Sequence, residues 1–432
     1  MSSSLLLRLS VVVLVSMVLL VLFTCTITNR GLLPISIANP ANEHHDLPWY
    51  KHAHRAMVSP LLSANATTSE RQKLQEYWID AARALADRTF GDRFKDKVPG
   101  THVDVATLRA TIDGWTRVAK KGEHDGGGGG RWIYNNSDNI ATIRHIQDEY
   151  YSTCDHHFYA THSNSDIRDA VRYRWQPEQE HPLIAEDLDR DKWCELLDGR
   201  NIMVVGDLVQ YQIHELLLDI LRDGPSVCYG EMGCKPHTIC QEPHPPATLR
   251  YYRNDILANN KEMVDSHDHG HPSASVVLAP FMHKFMLREY DVYILNAATV
   301  ADDDDDSFMQ QLVDTLATLR EHKPNALVIY TSSYHGHPYC DDAIIPLDRP
   351  LTDIERRRLP YGWSEIARRN AIARVIIEAA GGLFVDLGAI MELRPDGHIG
   401  GQDCLRYCMP GPLDAWGTLL YNVMLATVSL VE

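Results

Sequence analysis

Polar residues follow two apolar runs of the sequence, where the ends of neighbouring strands would bring them together. Residues 201–205 (NIMVV) are followed by Gly206 and Asp207, and residues 290–295 (YDVYIL) are followed by Asn296. Ligands of parallel α/β sheets bind at the carboxyl ends of the strands. We therefore expect Gly206, Asp207 and Asn296 to meet at one edge of a sheet. Asp207 would either contact a ligand there or only cap the helix that follows.

A second pair of charged residues, Asp403 and Arg406, allows two interpretations. Three positions apart, they could form a local ion pair, or they could belong to a site at the same edge of the sheet. Arginine stays protonated at physiological pH and cannot act as a general base. His398 is the nearby histidine that could take that role. A packing role is favoured for His335 and His337, which flank a glycine in a loop.

Alternating histidines form the strongest candidate for a metal site. His267, His269 and His271 lie in the segment DSHDHGHP, and an extended loop could present two or three imidazoles on one side to zinc or copper. The chain has 22 histidines, so local clusters arise by chance and a solvated loop is favoured. The acidic residues 302–306 lack the ligand spacing of a calcium loop. We predict no metal and no other cofactor.

The elements that position these residues alternate between strand and helix. Residues 326–330 (ALVIY) and 382–385 (GLFV) are two further apolar runs, and residues 212–221 and 363–379 have helical spacing. Short apolar strands separated by helices favour a parallel sheet that is covered on both faces. The predicted fold class is therefore α/β, a parallel sheet flanked by helices.

The amino terminus predicts the compartment. Residues 9–27 (LSVVVLVSMVLLVLFTCTI) carry no charge and as a helix would span about 28 Å, close to the thickness of a bilayer core. We expect a transmembrane helix that anchors a single-pass type II membrane protein on the lumenal face of the Golgi or secretory pathway. A cleaved signal peptide and secretion are the alternative.

Composition and cysteine usage agree with an exported globular protein. The net charge of −17 disfavours nucleic acid and anionic lipid surfaces as partners, and a neutral or cationic ligand fits better. Eight of the nine cysteines follow the apolar segment, an even number that favours disulfides in an oxidising compartment. Asn65 and Asn135 each begin a triplet that N-glycosylation requires.

Four longer segments together resemble a known family. They are residues 172–177 (RYRWQP), 194–207 (CELLDGRNIMVVGD), 334–340 (YHGHPYC) and 394–420 (RPDGHIGGQDCLRYCMPGPLDAWGTLL). They are similar to the PC-esterase and trichome-birefringence-like family, lumenal SGNH/GDSL-type proteins that O-acetylate or deacetylate glycans. The resemblance covers roughly residues 130 to 425. It implies an SGNH-hydrolase-like fold with a small amino-terminal cysteine-containing subdomain.

The expected organisation has four parts. They are a cytoplasmic tail and anchor helix (residues 1–30), a stem and helical region (31–129), the small subdomain (130–193) and an SGNH-like domain (194–432).

The resemblance assigns catalytic positions whose side chains are changed here. In the family a serine follows Gly-Asp as the nucleophile, and a D-x-x-H segment supplies the acid and the base of a triad. Asp403 matches the acid, whereas the nucleophile position is Leu208 and the base position is Arg406. The oxyanion region implied by the resemblance contains the residues Gly206, Asp207 and Asn296.

These substitutions predict the function. Leucine cannot attack a carbonyl, so we expect a catalytically impaired relative that binds glycan or acylated polysaccharide, or that assists an active paralogue. One alternative is a working acyl esterase or acetyltransferase with an atypical nucleophile. The other is a purely structural membrane protein of the secretory pathway.

Overall fold

A six-stranded sheet forms the centre of the protein. The structure is a computed structural model. It describes residues 67–119, 128–137, 153–163, 166–222, 230, 234–267, 275–297, 305–401 and 403–429. All of these belong to one compact unit, Leu47–Glu432.

The helices, in chain order, are α1 (Thr68–Phe90), α2 (Val105–Thr116), α3 (Thr153–Tyr159), α4 (Asp169–Arg172), α5 (Arg190–Leu197), α6 (Leu208–Leu221), α7 (Lys284–Glu289), α8 (Asp305–His322), α9 (Asp353–Arg356), α10 (Ile366–Ala379), α11 (Leu387–Met391) and α12 (Asp414–Ser429). The strands are β1 (Arg131–Tyr134), β2 (Tyr173–Gln176), β3 (Ile202–Gly206), β4 (His237–Ile239), β5 (Ala247–Arg253), β6 (Val264–His267), β7 (Ser275–Leu278), β8 (Val292–Leu295), β9 (Leu327–Thr331), β10 (Leu383–Val385), β11 (His398–Gly400) and β12 (Asp403–Tyr407).

The central sheet has the strand order β10-β9-β8-β3-β5-β4. Strands β10, β9, β8, β3 and β5 run parallel to one another. Strand β4 is antiparallel to β5, with Thr238 opposite Thr248. Strands β3, β8, β9 and β10 occupy the four apolar runs of the sequence. Because they are parallel, their carboxyl ends share one edge of the sheet, and that edge carries Asp207 and Asn296.

The predicted fold class needs two corrections. The sheet is mixed rather than parallel, because β4 pairs antiparallel at one end of it. The second correction concerns the membrane helix: among the described residues, no helix is long and apolar enough to cross a bilayer. The predicted anchor, residues 9–27, lies outside the described residues. The fold is thus an α/β arrangement around a mixed sheet.

Side chains alternate between two hydrophobic layers, one on each face of the sheet. Along β3, Ile202 and Val204 belong to one cluster, and Met203 and Val205 belong to the other, as the two-residue period of a strand requires. The first cluster packs against α2, α6 and α12, and the second packs against α1, α8 and α10. Burial on both faces explains why β3 and β8 are continuously apolar.

Strands β1 and β2 form a small antiparallel sheet in the region predicted as a small subdomain. Trp132 and Trp175 face each other across this β1–β2 sheet, and both pack on the same core as Trp115 and Ile202. The indole nitrogen of Trp132 also donates to the carbonyl oxygen of Ile390, at 2.9 Å. The β1–β2 sheet therefore shares the main core, and the predicted boundary between subdomain and domain stays a prediction.

Disulfide bonds join distant parts of the chain. The described pairs are Cys154–Cys408, Cys194–Cys240 and Cys340–Cys404, with separations of 254, 46 and 64 residues. Cys234 is disulfide-bonded as well, and Cys228 lies outside the described residues. The prediction that the cysteines form disulfides is thus supported by three described pairs.

Replacing Cys340 and Cys404 together by serine should lower the free energy of unfolding by about 2–4 kcal/mol, because the unfolded chain regains the freedom of a long loop. Urea unfolding of the oxidised wild type and of the double variant measures the difference. The same pair of substitutions at Cys194 and Cys240 is the matched control. It should also destabilise the fold, but it should not expose residues 398–408 to limited proteolysis. Alkylation of most cysteines in the unreduced native protein would contradict the framework.

Candidate functional site

The end of strand β3 is shaped by Gly206 and Asp207. A Cβ atom on Gly206 would lie 2.7 Å from Cβ of Gln210 and 3.0 Å from the carbonyl oxygen of Asn296, so this position requires glycine. The Asp207 carboxylate accepts hydrogen bonds from the backbone N–H groups of Val209 (2.9 Å) and Gln210 (3.2 Å). Asp207 is therefore the N-cap of α6, and its side chain occupies the helix N–H groups that an anionic ligand would otherwise use.

Leu208 is the first residue of α6 and lies at the nucleophile position implied by the resemblance. Its side chain is partly buried and packs against the hydrophobic core. It carries no atom that could form an acyl intermediate. The local geometry of a strand, a tight turn and a helix is thus present without a nucleophile.

Asn296 follows β8 at the same edge, and its side-chain amide is fully used inside the protein. The Nδ2 group donates to the carbonyl oxygen of Thr331 (2.7 Å) and to Oγ of Ser333 (3.2 Å). Only 3% of Asn296 is exposed. An oxyanion hole needs donors aimed at the place where substrate charge develops. In this conformation Asn296 fixes the ends of β8 and β9 to each other instead.

Asp403 and Arg406 form the local ion pair that was one of the two interpretations of their spacing. Asp403 Oδ1 accepts from the backbone N–H groups of Leu405 (3.2 Å) and Arg406 (2.9 Å), and Oδ2 accepts from Arg406 Nε at 2.6 Å. The two side chains are 14% and 24% exposed, respectively. Both oxygens of the carboxylate are therefore engaged by its own strand, and the partner is a permanent cation.

The hairpin of β11 and β12 is held against the first turns of α6. Gln212, which is completely buried, donates from Nε2 to the carbonyl oxygen of Tyr407 (2.7 Å), and its Oε1 accepts from the N–H of Tyr407 (3.1 Å). Gln212 lies one helical turn after Leu208, on the same face of α6. The structure thus brings the segment containing Asp403 and Arg406 next to the helix that begins with Leu208.

Gln212 is a residue that sequence patterns did not single out. Replacing it with leucine should lower the free energy of unfolding by about 2–4 kcal/mol, because a buried N–H and a buried C=O of Tyr407 both lose their partner. Gln311→Leu is the matched control. The side-chain oxygen of Gln311 makes no hydrogen bond within the described part of the chain, so this change should cost less than about 1 kcal/mol. Equal effects of both substitutions in chemical denaturation would contradict this role.

Three histidines lie together beneath the hairpin. His335, His337 and His398 are 5%, 0% and 6% exposed, respectively. Nδ1 of His335 faces the carbonyl oxygen of Gly336 at 2.9 Å, and its Nε2 is 3.5 Å from the Glu392 carboxylate. The ring of His398 stacks on Tyr407 at 4.1 Å between centroids. These positions favour packing roles for the three rings.

His337 and His398 make three contacts that compete for protons. In the first contact, Nδ1 of His337 is 2.6 Å from Nε2 of His398. In the second, Nε2 of His337 faces the carbonyl oxygen of Glu392 at 2.9 Å. In the third, Nδ1 of His398 faces the carbonyl oxygen of Arg406 at 3.1 Å. A carbonyl oxygen only accepts, so three hydrogen bonds would need three protons, one more than two neutral rings carry. Burial opposes that extra proton: it lowers the pKa of His337 far below its ordinary value and that of His398 to about 3. At neutral pH the pair therefore holds two protons.

Acidification should destabilise the protein through this pair. The pKa of His398 is lower in the folded state than in the unfolded state. The unfolded chain therefore takes up a proton at His398 before the folded protein does. The contribution of the neutral, buried ring to the free energy of unfolding is complete above about pH 6.5 and is lost as the pH falls toward 3. Between pH 7 and pH 5 the free energy of unfolding should fall by roughly 1–2 kcal/mol on account of His398. His398→Gln should reduce that pH dependence, whereas His157→Gln, at an exposed position of α3, should not. Equal slopes for the wild type and His398→Gln in urea titrations would contradict this origin.

Two serines that directly follow β9, Ser332 and Ser333, are candidates for an alternative nucleophile at this edge. Ser332 is fully buried; its Oγ donates to Asp386 (2.7 Å) and accepts from the N–H of Gly388 (2.7 Å). Ser333 is 9% exposed, and its Oγ donates to the carbonyl oxygen of Ala297 at 2.8 Å. No contact of either hydroxyl with a histidine occurs among the described residues. Both serines connect elements of the fold.

The described residues contain one cluster with metal-ligand geometry. Ligand atoms of His214, Cys234 and His237 all lie within 4.8 Å of one another. However, Cys234 is disulfide-bonded and cannot supply a thiolate. Arg222 contacts Nδ1 of His237 at 2.9 Å, and its positive charge opposes a bound cation. This cluster therefore does not form a metal site in the oxidised protein.

The alternating histidines, for which the sequence favours a solvated loop over a metal site, are mostly beyond the described part of the chain. His267 ends strand β6, and His269 and His271 lie outside the described residues. Asp305, one of the acidic residues 302–306, is buried at the start of α8 and pairs with Arg368 at 2.9 Å. The glycosylation candidate Asn65 is also outside the described residues, and Asn135 is half-buried after β1.

Comparison with known proteins gives a distant and partial match. No family model matches the chain. Xyloglucan O-acetyltransferase 2 of Arabidopsis thaliana is 27% identical to it over an 89-residue alignment, and the match covers 18% of this chain and 22% of that protein. The match thus spans less than a quarter of the relative. A segment of the chain is similar to part of an O-acetyltransferase that acts on a polysaccharide.

Proposed function

We propose that the protein is a non-hydrolysing relative of glycan O-acetyltransferases that binds glycan, or assists an active paralogue, without transferring acyl groups. The observation that carries this proposal is the pairing of Arg406 with Asp403 on the strand that Gln212 holds against α6, the helix that begins with Leu208. A triad of this type needs a hydroxyl, a neutral imidazole and a carboxylate that holds the imidazole. Here only the carboxylate is present, and it binds a guanidinium.

The surrounding donors support the same conclusion. The Asn296 amide is bound by Thr331 and Ser333, and the first N–H groups of α6 are capped by Asp207. Loss of one oxyanion donor alone costs about 100- to 1000-fold in rate in enzymes of this kind. The edge therefore lacks electrostatic stabilisation of a tetrahedral intermediate as well as a nucleophile and a base.

The proposed compartment is the lumen of the secretory pathway. Disulfides between positions as distant as Cys154 and Cys408 persist only in an oxidising environment. Glycan O-acetylation in the Golgi is the setting that the resemblance implies, and the partial similarity to a xyloglucan O-acetyltransferase agrees with a polysaccharide ligand.

A working enzyme with an atypical nucleophile is the second candidate. Ser332 and Ser333 are the hydroxyls that such an enzyme would use at this edge, and His398 is the base. The hydrogen bonds of both serines and the burial of His398 argue against it. A third candidate, a purely structural protein, would bind no glycan.

The wild-type protein should neither react with a fluorophosphonate probe nor hydrolyse an activated acetyl ester above a heat-denatured control. Leu208→Ser and Arg406→His should each stay at that background, because serine and histidine act as a unit. The double variant should become labelled, since Oδ2 of Asp403, freed from Arg406, can accept the Nδ1–H of the new imidazole. Turnover should remain slow because Asn296 is not available as an oxyanion donor.

Adding Asp403→Asn to the double variant is the matched control, and it should reduce labelling by at least about tenfold by removing the carboxylate that orients the ring. Labelling of the wild-type protein, abolished by Ser332→Ala or Ser333→Ala, would contradict the proposal and establish the second candidate.

A further inference from the structure

A large groove lies on the flank of the protein, away from the sheet edge. Its volume is about 1140 Å³, and it runs between the β1–β2 sheet, residues 177–190, the end of α6 and the start of α12. Asp219 of α6 lines it, eleven residues after Leu208. At 1.5 Å per residue this places the groove about 16 Å along the helix from the candidate site.

The lining of the groove combines flat apolar surfaces with hydrogen-bonding groups. Ile133, Pro177 and Leu183 contribute apolar surface, while Gln176 and Gln179 contribute exposed amides. A sugar ring presents the same combination, because its C–H faces are apolar and its hydroxyls both donate and accept. The volume exceeds that of usual pockets for one small molecule and is sufficient for several linked sugar rings.

The charge of the groove selects against acidic ligands. Acidic residues outnumber basic residues in the lining of the groove. The five acidic residues are Glu178, Glu186, Asp187, Asp219 and Asp414, and the two basic residues are Arg174 and Arg190. Glu178 also pairs with Arg117 outside the lining, at 3.2 Å, which leaves an excess of two negative charges (five minus two, less the one paired with Arg117). This excess repels polyuronate chains and phosphate esters. Carboxylate oxygens are at the same time good acceptors for the hydroxyls of an uncharged sugar.

We propose that this groove is a separate binding site for an uncharged oligosaccharide chain, independent of the Leu208 and Arg406 edge. The ligand class rests on the proposed function; the position and the selectivity come from the shape and charge of the groove. The site would retain a polysaccharide on a protein that performs no chemistry on it.

Calorimetric titration of the purified full-length protein with xyloglucan oligosaccharides and with oligogalacturonate tests the proposal. For this titration the protein is produced without N-glycans, because Asn135, a predicted glycosylation acceptor, also lines the groove. The wild type should bind the uncharged oligosaccharides and not the acidic ones. Replacing Gln176 and Gln179 with alanine should weaken binding about tenfold, through the loss of about 1.4 kcal/mol of hydrogen bonding.

Matched controls separate the groove from the rest of the surface. Gln72→Ala with Gln310→Ala removes two exposed glutamines of α1 and α8, on the other face of the sheet, and should leave binding unchanged. Glu186→Lys with Asp187→Lys, both at exposed positions, should allow oligogalacturonate to bind.

Three results would overturn the proposal. The first is that the wild type does not bind the uncharged oligosaccharides. The second is equal affinity for xyloglucan oligosaccharides and oligogalacturonate. The third is loss of binding in the Leu208→Ser, Arg406→His double variant while the variants of the groove residues bind normally. None of these depends on acyl chemistry. The absence of acyl transfer is judged separately by the labelling of that double variant.

Discussion

The attachment of strand β12 to the body of the protein is the constraint on which the candidate site depends. Arg406 lies between two disulfide-bonded cysteines, Cys404 and Cys408. The buried side chain of Gln212 holds both backbone groups of the intervening Tyr407. These three attachments come from different parts of the chain, so they fix the position and the direction of the strand together. The side chains of Asp403 and Arg406 are presented by a rigid segment.

The contacts that hold the backbone of the candidate site in place are independent of the side chains that catalysis would need. Packing, disulfides and the capped helix α6 do not require a serine at position 208 or a histidine at position 406. Leucine at the first position gains core packing, and arginine at the second gains a charge-assisted hydrogen bond to Asp403. Both side chains therefore suit the fold, which agrees with the proposed loss of acyl transfer.

Part of this arrangement follows from sequence patterns. The apolar runs at β3, β8, β9 and β10 predict buried strands, and polar residues at their ends predict an edge where Asp207 and Asn296 lie. The three-residue spacing of Asp403 and Arg406 allows their ion pair. These features are local in sequence, or depend only on strand order. That is why periodicity and spacing can predict them.

The remaining features depend on contacts between distant residues. Gln212 and Tyr407 are 195 positions apart, and Cys154 and Cys408 are 254 apart, so no local pattern specifies either contact. The sequence pattern does not predict the antiparallel strand at the end of the sheet. Strand β5 alternates buried and half-buried residues, and β4 has only three residues, so neither forms a continuous apolar run. The commitment of the Asn296 amide to Thr331 and Ser333 is likewise visible only when the ends of β8 and β9 are placed side by side.

Intact-mass spectrometry after incubation with an activated acetyl donor tests the central claim most directly, because a transferase or esterase of this type must pass through an acetylated serine. The oxidised wild-type protein should show no more acetylation than a heat-denatured sample, and none of it on Ser332 or Ser333. Rapid stoichiometric addition of one acetyl group to a single serine of the native protein, absent after denaturation, would contradict the claim that the site is chemically inert.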